Sequence, residues 1–494
     1  MAGNQTSYGN IFKTTFLFGF VQIFNIAVKV ILNKIVAIIL GAEGMGIIGI
    51  YNSAINLLKT GTGLGINQSA VRDISEANNS EKNVEISRII SLTNNVIIYT
   101  AGLGIIVTVL FSPFLSTTYF GNYSYILAFI WLSFVVGINV LSDGQIAILK
   151  GMRQMRAMAY ASIYGSVVGL FAAVPFYYFF GKGGIIPSLI ITSLASLLLS
   201  NYYVRKINYQ KITISLIETL TQSKPMIKMG IALMLVGFIG SAFDMIIAAF
   251  ISRTGSISDV GLYNAGAAII TSYFGIVITA MSTDYYPRIS AVHNDNNKLT
   301  DEMNKQSETG LIMIFPLVVL FVFLSPLFIK ILYTDEFYAT NNYTDYAMIG
   351  TIITVVSNCM GMILLAKQAS NIFVWSVLSQ RIILLGIYLL LYHYLGLLGL
   401  GISYIILGLV HLIFMISILH KFYKIHLYTN TYILLCIIIF ITILTIMSRK
   451  VDVIYLKYSI GSLLFIFSSA FSVLYMKKKM DLDIVGIICK KIKR

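Results

Sequence analysis

The sequence predicts an all-α integral membrane protein with about fourteen transmembrane helices. Hydrophobic residues make up 57% of the 494-residue chain and charged residues only 11%, with a mean hydropathy of +0.83. A soluble protein of this size carries charges at about a quarter of its positions. Apolar runs that exceed the ~20 residues needed to cross a bilayer as a helix recur along the chain. The ten-residue alternating strands of a transmembrane barrel are absent, so helices are expected to satisfy the backbone hydrogen bonds in lipid.

The apolar runs divide into fourteen predicted spans. Their bounds are good to a few residues, and a count of twelve or thirteen stays open because only the turn around Gly396 separates spans 11 and 12. The N-terminal residues lead into a span too long and too polar for a cleaved signal sequence, which predicts a retained helix. The predicted spans are residues 15–40, 45–65, 89–112, 123–148, 157–180, 184–203, 227–252, 259–283, 308–332, 345–366, 371–394, 396–419, 430–447 and 454–476.

Lysine and arginine are distributed asymmetrically between the loops, and this predicts the orientation of the chain. With the N-terminus inside, 25 of the 35 Lys and Arg residues fall on the cytoplasmic side and five on the outer side. Short cytoplasmic loops carry such an excess, so both termini are expected in the cytoplasm. The net charge of +15 then lies where anionic headgroups attract it, and it indicates membrane lipids rather than nucleic acid as partners. The three cysteines form neither a disulfide framework nor a metal-ligand pattern.

The sequence repeats weakly across its two halves. GIYNSA at 49–54 and GLYNAG at 261–266 lie in spans 2 and 8, and pairs such as Leu149 and Leu365 continue the echo 216 residues apart. The matches predict two copies of a six-helix unit in the same orientation, as in parallel-repeat transporters. The predicted domains are an N-lobe at 1–203, a cytoplasmic linker at 204–226, a C-lobe at 227–419, spans 13 and 14 at 420–476, and a basic cytoplasmic tail at 477–494.

Two stretches of the chain resemble a known family. The first helical pair of the oligosaccharide flippases resembles residues 39–75, ILGAEGMGIIGIYNSAINLLKTGTGLGINQSAVRDIS, and its second-lobe counterpart resembles residues 259–290, DVGLYNAGAAIITSYFGIVITAMSTDYYPRIS. These flippases are the O-antigen and polysaccharide translocases of the multidrug/oligosaccharidyl-lipid/polysaccharide exporter superfamily. The likeness covers about residues 10–420.

The resemblance implies a function for the chain. It implies a two-lobed bundle around a central cavity in the bacterial inner membrane. Such a bundle moves a polyprenyl-diphosphate-linked oligosaccharide from the cytoplasmic to the periplasmic leaflet by alternating access. The resemblance leaves open whether the protein also contacts a polysaccharide polymerase and the chain-length machinery. The resemblance does not identify the sugar.

Polar residues form stripes on the first two spans. A lysine at mid-bilayer costs at least about 2.5–3.5 kcal/mol, so it normally faces protein or a water-filled cavity. Spacings of three and four residues place the members of each stripe on one helical face, which predicts a hydrated cavity lined with cations. The stripes are Gln22, Asn25, Lys29 and Asn33 in span 1, and Asn52, Asn56 and Lys59 in span 2.

The chemistry of the stripes suits the cargo that the resemblance implies. A diphosphate diester carries about two negative charges, for which Lys and Arg are natural partners in a low-dielectric cavity. Asn and Gln donate and accept the hydrogen bonds that sugars require. The predicted substrate-binding residues are Asn25, Lys29, Asn52, Asn56, Lys59 and Arg381.

Several other ionisable residues lie in the spans. Asp244 in span 7 has two interpretations, an ion pair with a lysine across the lobes or a site for a coupling proton. Asp143 and Glu43 are predicted at interfaces with loops, and His411 as a packed, hydrogen-bonded side chain rather than a proton relay. Lys457 lies near a span end, where its ammonium group can reach the headgroups.

Two other function classes compete with the flippase. A multidrug or cation antiporter of the same fold should line its cavity with carboxylates, whereas Lys and Arg dominate the ionisable residues within these spans. A membrane enzyme should carry a large external loop with catalytic residues, but the external loops here are short. No nucleotide-binding P-loop is present, and no cofactor, metal site or catalytic residue is predicted. Moving an anion out of a negative-inside cell releases about 2.3 kcal/mol of free energy per charge per 100 mV, so the membrane potential can drive its export without ATP.

Overall fold

The computed structural model describes residues 2–79 and 83–479, which are helical almost throughout. No strand occurs within these described residues, so the predicted all-α class is confirmed. The α-helices are α1 Ala2–Thr62, α2 Ile66–Asn79, α3 Asn83–Phe120, α4 Ile126–Gly151, α5 Met155–Phe180, α6 Ile185–Val204, α7 Leu216–Gln222, α8 Lys224–Thr254, α9 Ile257–Ala268, α10 Gly275–Ala291, α11 Asn296–Leu332, α12 Asn341–Ala366, α13 Ser370–Tyr423, α14 Thr429–Ser448 and α15 Ile454–Lys479.

The predicted spans match these helices. Ten helical runs of the described chain are long and apolar enough to cross a membrane, and three of them contain two helices each. Gly41, with φ 66°, divides α1, Gly181, with φ 54°, separates α5 from α6, and Gly396, with φ 58°, divides α13. Residues 257–291 form a further helical run with a π-helical turn at 269–274, at the position of predicted span 8.

The chain divides into two compact units after Gly261. In the first unit α1 packs against α5 and α8, while α4 packs against α3 and α6. The amphipathic helix α2 lies between predicted spans 2 and 3, where no helix is predicted, and packs against α3, α4 and α8. Its residues Ile66, Ala70 and Ile74 recur every four positions, so they share one face and are all buried in the core.

At two glycines the backbone of α1 and of the turn after it directly contacts the backbone of the second half of the first unit. A Cβ atom on Gly46 would lie 1.9 Å from the carbonyl oxygen of Ile257. A Cβ atom on Gly65, which has φ +62°, would lie 2.1 Å from the carbonyl oxygen of Gly230. Only glycine combines this positive φ with so close an approach at no steric cost.

In the second unit α12 packs against α13 and α11, and α11 also contacts α14 and α15. The helix α12 is largely buried along its length. The predicted spans 13 and 14 therefore join the bundle of this unit through α11. The predicted lobe boundaries remain a prediction, and all but three residues of the basic tail, 477–494, lie outside the described part of the chain.

The same turns recur 215 residues apart in the two units. Arg153, between α4 and α5, and Gln368, between α12 and α13, both have left-handed backbones with φ 55° and 57°. The backbone N–H of the following residue donates to a carbonyl five residues earlier in both cases, at 2.8 and 2.9 Å. Gly181 and Gly396 repeat the next turn at the same separation. The internal repeat is therefore present in the backbone. The two copies of these turns are separated by 215 residues, one fewer than the separation between Leu149 and Leu365.

Candidate functional site

A cavity of about 280 Å³ lies within the first unit. Its wall is formed by the last turn of α1, the turn into α2, and facing segments of α3, α4 and α8. Apolar groups such as Ile97 and Val140 share the wall with polar ones. The polar side chains that line it are Lys59, Thr60, Asn67, Gln68, Thr100, Asp143 and Ser241.

Lys59 and Asp143 form an ion pair in this wall. The Lys59 Nζ lies 3.0 Å from Asp143 Oδ2, and the two side chains are 29% and 34% exposed. Lys59 stands one turn before the end of α1, where Thr62 Oγ1 donates to the Leu58 carbonyl and Gly63 N–H donates to the Lys59 carbonyl. The ammonium group is thus carried by a helix end rather than by a loop, and it faces a carboxylate of α4.

The span 1 residues occupy different environments. Asn25 Nδ2 donates to Ser162 Oγ on α5 at 2.8 Å, and its buried Oδ1 accepts no hydrogen bond from the described residues. Lys29 is exposed, and no ion pair of the described chain includes it. Asn25 therefore contributes to helix packing as well as to the polar stripe, whereas Lys29 leaves its charge available.

The other predicted residues do not all reach the cavity. Asn52 and Asn56 are exposed on α1 and do not line it, although Lys59 of the same stripe does. Asp244 is exposed on α8, three residues beyond the cavity-lining Ser241. Arg381 is exposed on α13 and belongs to the second unit. The structure places one of the six predicted binding residues in the cavity wall, and the roles of all six stay predictions.

Asp143, which is predicted at an interface with a loop, lies instead on α4 and lines the cavity. The available signal was a lone carboxylate inside an apolar helix, which is a reason to expect a functional role. Its partner Lys59 is 84 positions away, so no local spacing could reveal the pair. Glu43, in contrast, pairs with Lys182 beside the turn at Gly181–Gly184, as the interface prediction expected.

The second unit holds a buried ion pair of another kind. Arg449 Nη1 donates to Asp345 Oδ1 and Oδ2 at 2.7 and 2.8 Å, to the Val322 carbonyl at 3.1 Å and to Ser325 Oγ. The two charged side chains are only 15% and 8% exposed. The pair joins α11, α12 and α14.

Other buried polar groups of the second unit also connect its helices. His411 on α13 is buried, and its Nδ1 lies 2.8 Å from Ser357 Oγ on α12. This confirms the prediction that His411 is a packed, hydrogen-bonded side chain. Asn304 on α11 is buried and bonds the segment that leads into α14. It donates to the His426 carbonyl, and its Oδ1 accepts from Tyr428 N–H and Thr431 Oγ1. No group of three or more His, Cys, Asp or Glu residues that could hold a metal ion occurs in 2–79 and 83–479.

A family model described as "Polysaccharide biosynthesis protein" matches residues 35–342, more than half of the chain. Among curated relatives, the Lipid III flippase of Escherichia coli (strain K12) is 21% identical over 384 residues, covering 73% of this chain and 86% of the relative. The Lipid III flippase of Shigella flexneri matches equally.

Solved structures share the fold at low sequence identity. The Lipid II flippase MurJ in an inward closed conformation has a TM-score of 0.66 at 13% identity, over 94% of this chain and 99% of that one. An inward-facing multidrug resistance MATE family transporter of the MOP superfamily has a TM-score of 0.63 at 16% identity, over 81% and 96%. The chain therefore has the helical fold common to these two kinds of transporter, and the resemblance found in the sequence is confirmed.

Proposed function

Since the chain belongs to the polysaccharide biosynthesis protein family, we propose that it is a flippase for a polyprenyl-diphosphate-linked oligosaccharide, the repeat unit of an O-antigen or a related polysaccharide. It moves the headgroup from the cytoplasmic to the periplasmic leaflet by alternating access, and it acts as a transporter rather than an enzyme. The names of relatives in two comparisons, Lipid III flippase and Lipid II flippase, support a lipid-linked cargo. The polyprenyl chain remains in lipid while the headgroup passes through the protein.

The observation that carries the proposal is the lysine-bearing cavity of the first unit. Lys59 and a set of amide and hydroxyl groups line a polar cavity inside a bundle of apolar helices. A polar cavity among such helices is expensive unless it serves a polar ligand. An ammonium group suits a phosphate, and the amides and hydroxyls suit a sugar.

The proposed orientation rests on the distribution of charges. We propose that both termini lie in the cytoplasm, because 25 of 35 Lys and Arg residues then lie on the cytoplasmic side. The bacterial inner membrane is proposed because the resemblance to the oligosaccharide flippases implies it. Its partners are the lipid-linked oligosaccharide and the surrounding lipids, and an adjoining polymerase or chain-length regulator fits the same pathway step.

A multidrug antiporter is the second candidate, because a MATE transporter shares the fold with a TM-score of 0.63. A cavity for cationic drugs requires uncompensated carboxylates. The one carboxylate in this cavity, Asp143, is compensated by Lys59. The described cavity therefore offers no uncompensated carboxylate to a cationic drug.

The test of the proposed function uses Lys59→Ala, at the lysine of the cavity, and Lys29→Ala, at the exposed lysine of the span 1 stripe. Both are studied in cells, with expression and membrane insertion measured separately. A charge-assisted hydrogen bond is worth about 1.5–3 kcal/mol, so losing it should weaken headgroup binding by about 10- to 100-fold. Surface polysaccharide should fall, and the lipid-linked intermediate should accumulate in the cytoplasmic leaflet. Lys29→Arg should retain delivery because it retains the charge.

Lys457→Ala is the matched control, because Lys457 also lies in an apolar helix but is predicted to reach the headgroups. It should leave polysaccharide delivery unchanged. Unchanged delivery in a normally inserted Lys29→Ala protein would remove Lys29 from the binding site, and unchanged delivery in Lys59→Ala as well would overturn the cationic cavity that carries the proposal.

A further inference from the structure

Two ion pairs among the described residues differ in how completely their hydrogen-bonding groups are satisfied. Asp345 and Arg449 are almost fully buried, and Arg449 Nη1 has acceptors on two helices. Lys59 and Asp143 are each about one third exposed, and their one described polar contact is the 3.0 Å pair itself. The first pair is a permanent crosslink between helices, whereas the second keeps hydrogen-bonding capacity for other groups.

Lys59 and Asp143 both line the cavity, so their unused hydrogen-bond donors and acceptors are accessible from it. An ammonium group has three donors and a carboxylate about four acceptor sites, so most of both remain available to water or a ligand. The cavity of about 280 Å³ has room for about nine water molecules at ~30 Å³ each. Neither group is therefore desolvated, and little is lost when one partner of the pair is exchanged for another.

Asp143 and a phosphate are alternative partners of the same ammonium group. Both are anions, and both accept from Lys59 Nζ. Among the residues that line the cavity, Lys59 is the basic one and Asp143 the acidic one. A phosphate that reaches Lys59 also meets the like charge of Asp143, which disfavours simultaneous binding of both.

The geometry points to Asp143 as a positioning residue that competes with the cargo's phosphate for Lys59. This inference rests on the proposed function. In the empty cavity Asp143 holds the ammonium group in place and neutralises it. When the headgroup binds, its phosphate replaces the Asp143 carboxylate as the partner of Lys59. When the headgroup leaves, the ion pair between Asp143 and Lys59 forms again. Asp143 thereby lowers the affinity for the headgroup and favours its release on the far side.

The experiment measures the affinity of the purified full-length protein, in a nonionic detergent, for farnesyl diphosphate by titration calorimetry. Asp143→Asn keeps the shape of the side chain but removes its charge. It should bind farnesyl diphosphate about 3- to 10-fold more tightly than the wild type, because the competing anion and its repulsion are lost. In cells the same variant should deliver less surface polysaccharide, since release is slowed.

Four controls accompany this variant. Glu43→Gln removes the carboxylate of the Lys182 pair, which does not line the cavity, and should leave the affinity unchanged. Lys59→Gln should weaken binding, and the double variant Lys59→Gln with Asp143→Asn should bind less tightly than Asp143→Asn alone, because it lacks the ammonium group for which the two anions compete. Farnesol, which lacks the phosphates, should not respond to any of these changes.

A gain in affinity is the decisive result, because a merely structural ion pair would lose binding when broken. If the wild type binds farnesyl diphosphate and Asp143→Asn binds it equally well or more weakly, the inference about Asp143 is overturned. The flippase proposal is not affected by that result. Failure of both the wild type and Asp143→Asn to bind farnesyl diphosphate overturns the diphosphate site and the inference together. Tighter binding that also appears in Glu43→Gln assigns the effect to overall charge and overturns the inference as well.

Discussion

Replacing Arg449 by methionine should strongly destabilise the second unit. The substitution removes the basic partner of a carboxylate that is only 8% exposed. It also removes the donor to Ser325 Oγ and the Val322 carbonyl. Breaking a buried pair in this way costs about 3–5 kcal/mol, because a charge is left without a partner. At about 2–4 °C per kcal/mol for a unit of this size, Tm should fall by about 6–20 °C.

The assay can use a cysteine of the same unit as its reporter. Cys359 on α12 is buried and Cys436 is exposed, so a thiol-reactive dye reports the unfolding of α12 once Cys436 and Cys489 have been replaced by serine. Lys450→Met is the matched control, because Lys450 is adjacent and exposed, and its Tm should stay within about 1 °C.

The double variant Asp345→Leu with Arg449→Met separates a lost charge partner from a lost contact. Replacing both charges by apolar groups of similar volume is often neutral, so most of the lost Tm should return. A shift below about 2 °C in Arg449→Met, or a double variant as unstable as the single one, would refute the view that an unpaired buried carboxylate causes the loss.

Two further substitutions follow from the packing. Gly65→Ala places a Cβ atom 2.1 Å from the Gly230 carbonyl oxygen at a positive φ, so it should cost about 1–3 kcal/mol of stability and lower both Tm and polysaccharide delivery. Gly102→Ala, which meets no atom within 4 Å, should do neither, and equal behaviour of the two variants would argue against the close contact. Asn304→Ala should cost about 1–3 kcal/mol, because the His426 carbonyl and the Tyr428 N–H each lose a partner. Its Tm and protease sensitivity can be compared with those of the exposed Asn297→Ala, and a Tm equal to that of this control would contradict the role of Asn304.

The fold could be predicted from the sequence because the membrane imposes simple rules. A helix that crosses lipid must be apolar over about 20 residues, and this pattern located the long apolar helices, including the break at Gly396. The amphipathic helix α2 was missed because it is short and polar overall, and hydropathy alone does not distinguish such a helix from a loop. Its buried face was readable only from the four-residue spacing of Ile66, Ala70 and Ile74.

The site was less accessible to sequence analysis. Helical spacing grouped Asn52, Asn56 and Lys59 on one face, yet only Lys59 lines the cavity, because the neighbouring helices decide which part of a face is covered. The partner of Lys59 could not be found in this way, since pairing between α1 and α4 depends on how the two helices pack. A periodic pattern identifies the face of a helix, whereas identifying its contacts requires the tertiary structure.

The recurrence of one turn in both units has a consequence for how the protein is made. Each copy joins two neighbouring helices, α4 to α5 and α12 to α13, and its hydrogen bonds are formed within about five residues. The left-handed residues Arg153 and Gln368 cost of order 1 kcal/mol each, and that cost is offset locally in both copies. A turn of this kind needs no distant partner, so it can form as soon as the residues on both sides of it have left the ribosome. The first half of the chain can then be inserted and shaped before the second half is synthesised.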